Sequence, residues 1–134
     1  MAINTNSINE ELKFDKERQA KYKLLMDTAL LAGQIMLKSG AETYRVEETI
    51  CRILQTSGLA TTETFATVTG LFATLADPTI DPITRIIRVS EKESNLGQVC
   101  AVNDISRKLC AGQLSVEDAY WRLLEIKERK SFLK

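Results

Sequence analysis

From Ala29 to Leu37 the chain is apolar nearly all the way round a helix, interrupted only by Gly33 and Gln34. A helix without a polar face has to be covered on most sides, so whatever this chain folds into must wrap other elements around this segment. Helical periodicity begins near Lys16. Leu24, Thr28, Leu31 and Ile35 form one stripe, and Leu25, Ala29, Ala32 and Met36 form its neighbour. The run stops far short of the ~18 apolar residues that span a bilayer. It is therefore the expected centre of a globular core, and it ends at Ser39-Gly40, where glycine supplies the positive φ of a helix stop.

The elements that cover it follow in order. A second helix is expected from Ala41 to Ser57, with Val46, Ile50, Ile53 and Leu54 buried and Glu47, Glu48, Arg52 and Gln55 facing water; Gly58 closes it. Thr61 to Leu75 then holds six threonines, two phenylalanines, a valine and two leucines, a β-forming mixture. Thr69-Gly70 divides it into strands at 61–66 and 70–75. Asp77 to Pro82 is a turn-rich connection with two prolines, and Thr84 to Val89 is a third strand, with Arg85, Ile87 and Val89 on one face and Ile86 and Arg88 on the other. Ser94 or Asn95 caps a third helix, with Val99, Val102, Ser106 and Leu109 on one face, ended by Gly112. Ser115 and Asp118 open a fourth, whose apolar face runs from Val116 to Ile126. The order ααβββαα predicts an α+β domain with a mostly antiparallel sheet. We divide the chain into a flexible lead-in at 1–15, one α+β domain at 16–130, and an expected junction to a membrane region at 131–134.

Composition removes several function classes. Lysine plus arginine equals aspartate plus glutamate at 18 each, so there is no global attraction to nucleic acid. Histidine is absent, which excludes Ser-His-Asp and Cys-His catalysis and histidine-based zinc sites. The three cysteines, Cys51, Cys100 and Cys110, have no C-x-x-C spacing and are expected as buried thiols in a reducing compartment. Neither a metal nor a cofactor is implied. Met1 to Lys13 is polar and offers no secretory h-region.

The densest polar segment is Ser39-Gly40-Ala41-Glu42-Thr43-Tyr44-Arg45-Val46-Glu47. Ser39 and Glu42 have capping-box spacing, and Arg45 stands one turn after Glu42. This segment resembles the SGAET-x-RVE signature of the threonine/serine exporter family, in the soluble amino-terminal domain of its members. The resemblance runs from about Leu24 to Glu125. It extends to Ala32-Gly33, to Phe65-Ala66-Thr67 with Thr69-Gly70-Leu71-Phe72, to Thr84-Arg85 with Arg88-Val89, and to Ala101-Val102-Asn103. Val68 stands where the family pattern has proline. The resemblance implies a domain on the cytoplasmic side of the cell membrane, and our first reading is a non-enzymatic gate, sensor or assembly module there. Its partner would be a transmembrane region, following in the same protein or supplied by a second subunit, that exports an amino acid or small dicarboxylate. The basic end, Lys127 to Lys134 with four cations and one acid, fits a membrane junction under the positive-inside rule and equally fits a helix C-terminus.

Two ligand regions are candidates. Glu42, Thr43, Arg45 and Glu47 sit at a helix start, where free N–H groups and a guanidinium favour a small carboxylate. Thr67, Thr69 and Gly70 offer hydroxyls and a close backbone approach, and Asn103 is an amide in mid-helix that would reach the sheet or the capping segment. Two other function classes compete. One is a hydrolase with Glu42 or Glu47 as base and a threonine or Cys100 as nucleophile. The other is a ligand-free dimerisation module, with a homo-oligomer of the chain as its product.

Overall fold

The computed structural model describes residues 4–132, and in order along the chain it has helix α1 (Thr5–Lys38), helix α2 (Thr43–Gln55), strands β1 (Thr61–Thr67), β2 (Gly70–Asp77) and β3 (Ile80–Arg88), helix α3 (Leu96–Cys110) and helix α4 (Val116–Phe132). The strands form one antiparallel sheet in the order β1-β2-β3. This is the α+β architecture expected from the residue pattern.

The packing explains the apolar segment. α1 touches α2 on one side, β2 and β3 on another, and α3 and α4 on a third. Its residues 28–33 and 35–37 are all buried, as its lack of a polar face requires. α2 lies beside α1 against β1, burying Val46, Ile50, Ile53 and Leu54. The result is three layers: sheet, then α1 with α2, then α3 with α4. Gly33 is what lets the first two elements meet. A Cβ there would come within 2.4 Å of Ile50 Cδ1 and 2.8 Å of Ile50 Cγ1, closer than any real contact.

Four details differ from expectation. α1 begins at Thr5 rather than near Lys16, so the expected lead-in is helical from that point. Asn4 caps it by accepting from Asn6 N–H at 3.1 Å, and residues 4–17 are exposed, so no burial pattern announces these turns. The Ser39/Glu42 capping box does not form. Ser39 is buried at the end of α1 and donates its Oγ to Gln98 Oε1 at 2.9 Å, while Glu42 occupies the α2 N-cap with no side-chain bond to the helix. The connection expected over 77–82 shrinks to Pro78-Thr79, because Asp77 Oδ1 accepts from Thr79 N–H at 3.0 Å and from Thr79 Oγ1 at 2.8 Å. β3 lies at the sheet edge, where Pro82 is tolerated inside a strand. Cys100 and Cys110 are exposed rather than buried, and Cys51 is half-buried, because the first two fall off the packed stripe of α3.

The helix stops follow the sequence closely. Gly40 has φ of 92°, and Ala41 N–H reaches Met36 O at 3.0 Å while Gly40 N–H reaches Leu37 O at 3.2 Å, a Schellman closure. Asn95 caps α3 by accepting from Gln98 N–H at 3.0 Å, and Ser115 Oγ accepts from Asp118 N–H at 3.1 Å before α4. No helix among the described residues is long and apolar enough to cross a membrane. The end expected at 131–134 falls where side chains, and from 133 the backbone, lie outside the described residues.

Candidate functional site

α2 and its N-cap carry four of the eight candidate residues, Glu42, Thr43, Arg45 and Glu47, and the corner before it is pinned to the segment that leads into α3. Ser39 O accepts from Asn95 N–H at 2.9 Å and Lys38 O accepts from Glu93 N–H at 2.8 Å. These bonds staple the α1–α2 corner to the segment before α3. α2 therefore runs between β1 and α3, with a groove on each flank.

The groove toward α3 encloses about 330 Å³ and is lined by Tyr44, Arg45, Glu48, Arg52, Asn103 and Arg107, with Thr49 and Ser106 beneath. Its lining carries three guanidinium groups against one carboxylate, and that carboxylate, Glu48, is already paired with Arg52. Arg45 is held charged. Hydrogen bonding to Tyr44 and the attraction of Tyr44, followed by that of Glu42 and Glu48, raise its pKa further above the ordinary guanidinium value. Cationic forks beside an amide and hydroxyls are the donor set that recognises a carboxylate in two-pronged fashion.

The groove toward β1 has the opposite character. It encloses about 480 Å³ between Thr43, Tyr44, Glu47, Glu48, Cys51 and Thr64, among others. Here Glu47 has a structural task. Its Oε2 accepts from Ala66 N–H at 3.2 Å, satisfying a donor on the sheet's edge strand and binding α2 to β1. Thr64 Oγ1 is buried beside it with no partner among the described residues. Among the described residues, no three cysteine or carboxylate side chains converge as metal ligands.

The structure thus divides the candidates expected to act together. Arg45 and Asn103 share the α3 groove, so Asn103 faces α2 rather than the sheet. Thr43 and Glu47 share the β1 groove. Thr69 lies on a third hollow with Arg88 and Lys92, and Thr67, Thr69 and Gly70 form a tight hairpin end. There Thr67 Oγ1 accepts from Thr69 N–H at 3.2 Å, so these hydroxyls bond to their own turn. Val68, at the hairpin tip, is exposed. Arg52 and Arg107 were not among the expected residues. Their spacing carries a signal all the same: Arg52 lies seven residues after Arg45 and Arg107 four after Asn103, which puts each on its predecessor's helix face.

Residues 27–133 match the profile of the threonine/serine exporter family, ThrE. The chain belongs to this family. The match takes in all of α2 and α3 and the whole sheet, and so both grooves of this exporter-family chain lie within it. No curated protein and no solved structure matches the chain.

Proposed function

We propose that this chain is the cytoplasmic amino-terminal domain of a threonine/serine-exporter-type transporter, and that its α2–α3 groove takes the carboxylate of the exported amino acid or small dicarboxylate. Occupancy of the groove then informs the attached membrane region, in the same protein or in a partner subunit, that substrate is present. The observation that carries this reading is the meeting of Arg45, Arg52 and Arg107 with Asn103 around one hollow of about 330 Å³. A sensor needs only modest affinity, about millimolar, because it must release when cytoplasmic substrate falls. Family membership supports the transport setting, and the export step belongs to membrane-spanning elements.

A ligand that binds only the folded state raises stability with concentration. Threonine, serine or succinate is expected to raise the thermal midpoint of the wild-type chain in a saturable way. Arg45→Ala is expected to abolish that rise while leaving the ligand-free stability within about 0.5 kcal/mol of wild type, since the guanidinium is exposed. An equal rise in the variant would contradict the groove assignment.

A further inference from the structure

The outer face of the sheet carries an apolar row that no element among the described residues covers. Phe65 pairs with Phe72 and Phe72 with Ile86, so the three stand side by side across all three strands. They are 62%, 37% and 77% exposed. Large apolar side chains in one contiguous surface patch are unusual unless something docks on them. The inner face of the same strands, with Leu71, Ala73, Leu75 and Ile83, is fully committed to the core.

The polar neighbours of the row are arranged asymmetrically. One register step to one side stand Thr67, Gly70 and Arg88; one step to the other stand Glu63, Thr74 and Thr84. Arg88 on β3 and Glu63 on β1 thus occupy opposite corners of the patch, with Phe72 midway between them. A twofold axis lying in the face, through Phe72 and perpendicular to the Glu63–Arg88 diagonal, exchanges the two corners. It stacks Phe72 on the partner's Phe72 and sets each Glu63 opposite the partner's Arg88. It also turns Phe65 toward the partner's Gly70, which has no side chain to obstruct it. The strands of the two sheets then cross at roughly 70°, nearer to the orthogonal than to the aligned way for sheets to pack face to face.

We propose that a second copy of this chain covers the outer sheet face, in a twofold pair centred on Phe72 with reciprocal Glu63–Arg88 contacts. A self-complementary patch is what a twofold pair demands, and this face meets that demand in the placement of its apolar row and of its two opposite charges. The face is small, three strands about 4.8 Å apart, so the pair belongs among weak associations burying less than about 1,200 Å². It forms on the side of the sheet away from the α2–α3 groove, and it neither uses nor depends on a ligand there.

Sedimentation or light scattering over a concentration series up to about 1 mM tests it with the 134-residue chain. The mass is expected to climb from 15.0 kDa toward twice that value. Phe72→Glu is expected to hold it at the monomer with an unchanged circular dichroism spectrum. Glu63→Arg is expected to weaken association by setting like charges opposite one another, and Glu63→Arg with Arg88→Glu is expected to restore it. A chain that stays monomeric throughout the series would overturn the proposal, leaving the face to a lipid surface or another protein. A dimer indifferent to Phe72→Glu, or a double swap that fails to restore what Glu63→Arg loses, would overturn it as well.

Discussion

Ser39 and Asp77 show how much single polar side chains decide in this fold. Ser39 is 2% exposed, and its bond to Gln98 ties the α1–α2 corner to the first turn of α3. Ser39→Ala is expected to cost about 1 kcal/mol, the usual net worth of such a bond. Because the partner is Gln98 and not the start of α2, the cost should vanish in a Gln98→Ala background, as a double-mutant cycle of melting midpoints would show. Asp77 accepts from Thr79 and from Ala60 N–H, and these bonds, led by the Thr79 hydroxyl, hold its carboxyl below the ordinary value of 3.8. A depressed folded-state pKa adds stability that is complete above the unfolded value and fades as pH falls through the folded one. Asp77→Ala is therefore expected to lower the thermal midpoint above about pH 4 and to converge with wild type in more acid solution. A constant offset across that range would contradict the sign. The sequence exposes such residues only in part. The spacing of Ser39 and Glu42 is that of a capping box, but a hydroxyl in a buried corner bonds to whatever tertiary contact offers, and Gln98 lies 59 positions away.

At the level of elements, periodicity carries most of the information. Buried stripes on α2 and α3 and the alternation in β3 match the faces actually buried, because each is half-covered and so has a pattern to read. The first turns of α1 have no such pattern, since they are exposed on every side, and Ile8, Leu12 and Phe14 there remain in solvent. The β2–β3 turn is shorter than its prolines suggest because an edge strand can absorb Pro82. That edge is held by Gln19, whose side chain donates to Asp81 O at 2.9 Å and accepts from Asp81 N–H at 3.1 Å, a contact across more than sixty residues that no local pattern encodes. Gly33 is the element-level point of least tolerance. Gly33→Val would drive a branched side chain into Ile50, which is 0% exposed and cannot retreat. It is expected to cost about 2 kcal/mol or more by overpacking, read from denaturant unfolding. Gly97→Ala, where a Cβ meets nothing closer than 3.4 Å, should be neutral or slightly stabilising.

The whole molecule is organised around α1, with the sheet on one side and two further helices on the other. That arrangement leaves α2 as a ridge between two grooves, and among the described residues nothing covers the outer sheet face. The candidate site was partly legible for this reason. Arg45 and Asn103 stood out as polar groups at a helix start and in mid-helix, yet their meeting depends on the crossing of α2 and α3, which local sequence does not specify. The same crossing brings Arg52 and Arg107 into the groove and leaves the Thr67–Gly70 hairpin outside it. Binding of a small carboxylate in this groove is read by amide chemical-shift mapping of the ¹⁵N-labelled chain during titration with threonine. Saturable shifts are expected to cluster on residues 44–52 and 103–107, with none in the hairpin at 67–70. Shifts confined to the hairpin, or no shift at ligand concentrations well above about 10 mM, would contradict it.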